Sequence, residues 1–232
     1  MLVTDGKRVT VPLYHGTGNM FLQEIRSVGL GATNPHAQLR TLEFLRDLLS
    51  SMRGYQQDGA LSAPEIAFVE AMLSQSVTAS KMNFRHGATY LTPSRFTAVR
   101  YALRNRYGSE LLSTAFCLFE KLSALNGRVA EELADRYPEA CGMFQQKHEP
   151  VLIEINDVPV EQLRSEVGGD VAGALRIMQD EANTLEPKML NVLWQQSNFE
   201  LLSCIPPGCL LCFRINWLDG DTDTPSYELE AL

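Results

Sequence analysis

No stretch of this sequence approaches the run of about 20 apolar residues that a membrane-crossing helix needs. Asp5, Lys7 and Arg8 interrupt the N-terminus before any apolar core of secretion-signal length develops. The expectation is a soluble chain with no membrane partner. Basic charge is scarce as well: 20 Lys and Arg stand against 28 Asp and Glu, a net charge of −8. That balance argues against a general nucleic-acid coat or a binder of anionic membranes. It leaves room for a local basic patch, since Arg95, Arg100, Arg104 and Arg106 fall close together. Cysteine is sparse and odd in number (Cys117, Cys141, Cys204, Cys209 and Cys212), which fits a reducing, cytoplasmic compartment. The 209–212 pair has C-x-x-C spacing, but no second pair or nearby His completes a tetrahedral set, so no metal is expected. Cys204, Cys209 and Cys212 read instead as small core thiols around the apolar Leu210-Leu-Cys-Phe213 run. No Gly-x-Gly-x-x-Gly follows a strand, which excludes a dinucleotide held in the dehydrogenase manner. Asp219-Gly-Asp-Thr-Asp223 is calcium-like in composition only and reads as a solvated tail. His36, His86 and His148 have no partners at ligand spacing and read as surface or loop residues.

What is present is a chain able to fold. With 45% hydrophobic and 21% charged residues, it can bury a core and is not disordered. At 232 residues it forms one domain, with room for inserted helices. The organising stretch is 13–30, read as the end of a buried strand, a His15-Gly-Thr17 turn, a short amphipathic helix and a Gly29-Leu30 stop. His15 and Thr17 share one side if the strand continues through the turn. Gly16 between them lets another molecule approach the backbone. Phe21, Leu22, Ile25 and Val28 then recur at helical spacing.

Downstream, residues 35–80 carry two inserted helices. One has the stripe Leu39, Leu42, Leu45, Leu48, Leu49 and Met52; the other opens with a capping box at Ser62-Ala-Pro-Glu65. A short strand through Thr89, Tyr90 and Leu91 follows, then a Pro93-Ser94 turn and a helix over 96–103. Residues 109–146 predict further helix, and His148 to Ile155 is the clearest strand, alternating from Val151 through Ile153 to Ile155. Residues 160–183 read as helix, and Lys188 to Gln195 fits either a strand or a helix, with strand preferred. A polar loop then delivers a strand from Phe199, a Pro206-Pro-Gly208 turn and a closing strand to Trp217. Glu200 is a charge at the mouth of an apolar strand, which is either a solvated strand start or a site carboxylate.

The order His15, Tyr90, Tyr101, Glu200 resembles the His-Tyr-Glu branch of the ADP-ribosyltransferase superfamily, which includes diphtheria-type toxins and poly(ADP-ribose) polymerases. Three segments carry the match: Leu13-Tyr-His-Gly-Thr17 with the helix to Leu30; Ala88-Thr-Tyr-Leu-Thr-Pro-Ser94 with Ala98-Val-Arg-Tyr-Ala102; and Asn198-Phe-Glu200. The eleven-residue step from Tyr90 to Tyr101 equals that between the two ring-flanking tyrosines of the branch.

The resemblance implies an α+β fold, an ADP-ribosyltransferase-like arrangement of two small, mainly antiparallel sheets around an NAD cleft. The helical segments near 35–80 and 109–146 are insertions in it. It implies NAD as co-substrate, without a metal, cleaved at the nicotinamide–ribose bond. The ADP-ribose goes to a macromolecular acceptor, protein or nucleic acid, as in a bacterial toxin, effector or defence protein acting in its own or a host cytosol. An inhibitor or antitoxin partner would accompany that role. His15 would donate a hydrogen bond to the adenosine-side ribose, the Gly16 backbone would pair with the nicotinamide carboxamide, and Thr17 would support the turn. Tyr101 would stack on the nicotinamide, with Tyr90 on its other side. Glu200 would bond the ribose 2′-hydroxyl and stabilise the positive charge of an oxocarbenium-like transition state. Ala98 stands where polymerases carry a serine for the carboxamide. Asn198 stands where arginine-modifying relatives carry a second Glu, which makes arginine a poorer acceptor. The same pocket would also serve an NAD glycohydrolase, or a non-catalytic module binding NAD or ADP-ribose.

Overall fold

A computed structural model describes residues 1–55, 61–76, 83–166 and 168–232. In chain order these form β1 (Arg8–Val9), β2 (Leu13–Gly18), α1 (Leu22–Val28), α2 (Pro35–Gln38), α3 (Thr41–Arg53) and α4 (Ala63–Ser74). Next come β3 (Thr89–Leu91), α5 (Arg95–Arg104), α6 (Glu110–Leu125), α7 (Gly127–Arg136), α8 (Pro138–Phe144) and β4 (Pro150–Ile155). The chain closes with β5 (Val158–Pro159), β6 (Leu163–Ser165), α9 (Val171–Thr184), α10 (Pro187–Leu193), β7 (Phe199–Leu201), β8 (Leu210–Asp219) and β9 (Ser226–Ala231). The class is α+β. The chain divides into two compact units: Met1–Thr33 with Ala88–Gly108 and His148–Leu232, and Asn34–Gly87 with Ser109–Lys147.

The first unit holds the sheets, and all their pairings are antiparallel. One has the order β2-β4-β8-β9, a second β3-β7-β6, and β1 pairs with β5. Strand β4 shows why the larger sheet sits where it does. Val151, Ile153 and Ile155 alternate into the main core with Leu13, Leu91, Phe199 and Trp194. Leu152 points the other way, joining Tyr14, Val99 and Ile215 beneath α5. Both faces are thus buried, which rewards a strand with almost no polar residues.

Several expectations change in this unit. There is no turn at His15-Gly-Thr17: β2 runs straight through to Gly18, because each residue pairs with β4 as far as Gly18 opposite Pro150. The segment 188–195 is helical, not extended. Pro187 opens α10 with a ring pre-set for the helix, and Leu190 and Trp194, one turn apart, both enter the core. Within 160–183 the helix is broken: Val160–Gln162 form a single 3-10 turn, and α-helix resumes only at Val171. Asp170 caps α9 by accepting from the Ala172 and Gly173 amides, while Leu163–Ser165 is the strand β6. The Asp219–Asp223 segment is a hairpin turn rather than a tail. The Asp221 carboxylate accepts from the Asp223 and Thr224 amides, and β9 then completes the sheet. Of the three clustered cysteines only Cys212 is buried; Cys204 is half-buried and Cys209 exposed. Val28, read as part of an apolar stripe, is exposed.

The second unit is helical: α3, α4, α6, α7 and α8 share one apolar cluster, against which Leu39, just after α2, also packs. Phe44, Leu45, Leu48, Leu49 and Met52 of α3 are its most buried stripe, and the Phe44 ring meets Phe119, Tyr137 and Phe144. The capping box expected at α4 is present: Ser62 accepts from the Glu65 amide, and the Glu65 carboxylate from the Ser62 amide. Of the expected 35–80 insertion, residues 56–60 and 77–80 lie outside the described residues.

His36 and His86 are not independent surface residues. Their rings meet edge to face with centroids 6.4 Å apart. Burial, with His86 adding to it, lowers His36 to about 4. A folded-state value below the unfolded one means that the folded chain binds fewer protons between the two. The stability from a neutral His36 is therefore complete above about pH 6.5 and lost as the pH falls towards 4. Denaturant titrations should show an acid loss of up to about 3 kcal/mol over that window, reduced in His36→Gln. An unchanged loss in that variant would assign the acid sensitivity elsewhere.

Candidate active site

The edge strand β2, the strand β3 and the helix α5 meet around one cleft of the first unit, lined by Tyr14, His15, Gly16, Tyr90, Thr97, Ala98, Tyr101, Glu166 and Asn198, among others. It holds about 170 Å³. That is below the roughly 300–1,000 Å³ of pockets that enclose a whole drug-sized ligand, so it suits one end of a longer molecule.

Local sequence explains how each wall is placed. Tyr14 and Thr92 exchange backbone hydrogen bonds of 2.8 and 2.9 Å, which clips the outer edge of β2 to the chain just after β3. Alternation along an antiparallel strand then turns the Gly16 N–H and C=O to that same outer edge, two residues on, where the cleft begins. The Ser94 hydroxyl accepts from the Thr97 amide at 3.2 Å and starts α5 at the cleft rim. Thr97, Ala98 and Tyr101 then fall on one helix face. Gly16 serves this packing directly. A Cβ built there would lie 2.0 Å from the Ala98 carbonyl oxygen, so α5 rests on the strand with no room for a side chain.

The His15 ring is oriented from β3. Its Nδ1 lies 2.9 Å from the Tyr90 carbonyl oxygen, which can only accept, so Nδ1 carries the proton. Burial holds the imidazole below its usual value, and the Tyr90 contact offsets this only in part. A neutral ring with Nδ1–H offers Nε2 as an acceptor. A ligand hydroxyl at that position would donate to His15, the reverse of the expected polarity.

Glu200 is buried, 7% exposed, at the centre of the β3-β7-β6 sheet. Register sets it opposite Tyr90 on one side and Arg164 on the other, so the three share a face. Arg164 grips it as a fork, with Nη2 2.5 Å from Oε1 and Nε 3.2 Å from Oε2. Arg164 itself is about half exposed. Leu91, Phe199, Leu201 and Leu163 occupy the opposite face, in the core. Glu200 is therefore not merely a solvated strand start.

The structure brings His15, Gly16, Tyr90, Ala98, Tyr101 and Asn198 to the cleft wall. Thr17 is buried and does not line it; Glu200 stands beside Tyr90, off the wall itself. The arginines of the apparent basic patch are drawn into contacts within the chain. Arg95 lies over the Tyr14 ring and donates to its hydroxyl at 3.3 Å, Arg104 pairs with Asp223, and Arg100 and Arg106 lie over Phe96 and Tyr107.

The chain matches no family model, no curated protein and no solved structure.

Three polar residues of the site escaped the sequence reading: Arg164, Glu166 and Thr97. The first two belong to or directly follow β6, a three-residue strand whose only signal was Leu163-Arg-Ser-Glu166, too short to show a period. The Glu166 amide donates to the Asn198 carbonyl at 3.1 Å, extending the β6–β7 pairing by one step towards the cleft. The Asn198 side-chain Oδ1 is buried and has no hydrogen-bond partner among the described residues. His148, expected as a surface or loop residue, lies in the loop before β4, half-buried against Gly18.

Proposed function

We propose that this protein is an NAD-dependent mono-ADP-ribosyltransferase. One observation carries the reading: the outward N–H and C=O of Gly16, the two tyrosines and the Nε2 of His15 converge on one small cleft, with a buried carboxylate on the adjoining sheet face. The paired donor and acceptor of Gly16 match a primary carboxamide. Tyr101 and Tyr90 supply flat apolar walls for an attached ring. His15 accepts from a ribose hydroxyl and so fixes the sugar. The ring and its ribose fill the cleft, and the rest of the dinucleotide continues outside it.

Glu200 supplies the negative charge for bond breaking. A carboxylate has about four lone-pair sites, and the Arg164 fork occupies two. The ribose 2′-hydroxyl would donate to the same carboxylate on the Tyr90 side. As nicotinamide leaves with the electron pair of its glycosidic bond, positive charge develops on the ribose beside a carboxylate already fixed in place. Fixed charge of this kind needs little reorganisation at the moment of reaction. The fold the reading requires is the ADP-ribosyltransferase arrangement, with a cleft between two small antiparallel sheets.

Incubation with NAD labelled on its adenylate, beside a whole-cell lysate, tests the reading. Label on a macromolecule together with released nicotinamide is the expected result. Nicotinamide released with no labelled macromolecule would indicate a glycohydrolase, and no NAD binding or cleavage would refute the reading. Tyr101, 39% exposed at the cleft mouth, gives a milder prediction. Tyr101→Ala should raise KM several-fold with a smaller change in kcat, since stacking adds about 0.5–1.5 kcal/mol beyond area burial. A larger loss in kcat than in KM would contradict a stacking role.

A further inference from the structure

We infer that the first unit carries a second ligand site, apart from the NAD cleft, and that its ligand is a free apolar α-amino acid. The site is a cavity of about 460 Å³ between the turn joining β4 to β5 and the loop that enters β8. None of its lining residues belongs to the NAD cleft, so the inference stands or falls without the transferase reading. Its volume lies within the roughly 300–1,000 Å³ usual for small-molecule sites.

Three observations define the ligand. First, Gln162 lines the cavity, and its Oε1 is buried with no hydrogen-bond partner among the described residues. Its backbone is held in place: the Gln162 carbonyl accepts from the Leu202 amide at 2.8 Å, one step beyond the Leu163–Leu201 pair of β6 and β7. A buried acceptor left unpaired carries a desolvation cost, which a donor on a ligand removes.

Second, Arg8 and Asp157 stand next to one another on the exposed lining as charges that do not pair. Asp157 adopts a left-handed conformation (φ 57°) between β4 and β5, and its backbone carbonyl accepts from Arg8 Nη1 at 3.3 Å. Among the described residues neither side chain enters an ion pair. Asp5 accepts from the Arg8 amide at 2.7 Å rather than from its guanidinium. A cation and a carboxylate side by side match a ligand that carries the opposite pair. Third, Ile155, Val158 and Ile205 are buried beneath this rim, and Leu211, half exposed, extends the apolar surface.

An apolar amino acid satisfies all three. Its carboxylate takes the free N–H groups of Arg8, whose planar fork suits it. Its ammonium donates to Gln162 Oε1 and to the Asp157 carboxylate, and its side chain covers Ile155, Ile205 and Leu211. A phosphorylated ligand would set added negative charge against Asp157. A fatty acid would leave Gln162 Oε1 unpaired.

Calorimetric titration of the purified full chain with L-leucine and L-phenylalanine tests the inference, and binding of at least one is expected. N-acetyl-leucine lacks the ammonium and leucinamide the carboxylate. Each should bind about tenfold more weakly than leucine, the effect of losing one charged hydrogen-bond partner. Gln162→Leu should weaken binding by a similar factor with no fall in Tm, because an apolar group of like size leaves no buried acceptor unpaired. Arg8→Gln should weaken it as well. Cys209 reports the place: its exposed thiol lines the cavity, so bound ligand should slow its alkylation and leave that of exposed Cys117 unchanged. No binding of either amino acid, equal binding of N-acetyl-leucine, or unchanged affinity in Gln162→Leu would overturn the inference. A lower Tm in Gln162→Leu would make that side chain structural and overturn it too. An unprotected Cys209 would do the same by placing the ligand elsewhere.

Discussion

Glu200→Gln is expected to lower nicotinamide release by about a hundred- to a thousandfold, the range seen when one fixed electrostatic group is removed from an active site. The change is nearly isosteric and keeps an acceptor for the 2′-hydroxyl, so substrate binding should change far less than kcat. It removes the charge that the developing ribose cation needs. Folding should survive because Arg164 is about half exposed and can turn its freed guanidinium to water. The reverse truncation would be worse for stability, since it would leave the buried Glu200 without its fork. Stopped assays of nicotinamide release beside a melting curve give both readouts. Near-normal turnover in a folded Glu200→Gln protein would refute the proposed role.

The second large effect is expected at Gly16. Gly16→Ala places a methyl 2.0 Å from the Ala98 carbonyl oxygen, a contact that forces either α5 or β2 to move. Overpacking of this kind costs typically about 1–3 kcal/mol, and here the obstacle is backbone, which cannot rotate away. Denaturant unfolding should register that loss. The effect on activity should exceed it, because α5 carries Thr97, Ala98 and Tyr101 and because the Gly16 edge is itself proposed to hold the carboxamide. An alanine variant with unchanged stability and unchanged KM for NAD would show that the helix can shift at no cost. It would also remove the packing reason for a glycine at this position.

This finding changes the meaning of a motif. In the sequence, a glycine between His15 and Thr17 invited the reading that a ligand needs the space. In the structure that space belongs to α5, and what remains for a ligand is the outward N–H and C=O of the same residue. His15 changes in a similar way. Its identity suggested a hydrogen bond to a sugar, but the direction of that bond depends on the Tyr90 carbonyl beside Nδ1.

Much of the architecture is legible in the residues because its causes are local. The stripe of α3 from Leu42 to Met52, the capping box of α4 and the alternation of β4 each lie within a few residues of chain, and each is present, while Leu39 falls before α3, beyond the left-handed Arg40. The resemblance grouped His15, Tyr90, Ala98, Tyr101 and Asn198, and all five line one cleft. The failures share one cause. Segment 188–195 is short and apolar on one side, so a helix and a strand bury it equally well until Pro187 and the position of the core decide. Strand β6 has three residues, too few for a period, and exists because β7 offers it partners.

The sequence by itself determined most of the long helices and strands, and its resemblance to a known family supplied the α+β class and the side chains proposed for the site. Only the tertiary structure decided that Arg164 holds Glu200 from 36 residues away, that Tyr90 orients His15 across 75, and that Glu166 rather than Thr17 reaches the cleft. The physical reason is that propensity and periodicity act over one or two turns of chain. Strand register, which assigns each side chain its neighbours, is set by which distant segments bury their apolar faces together.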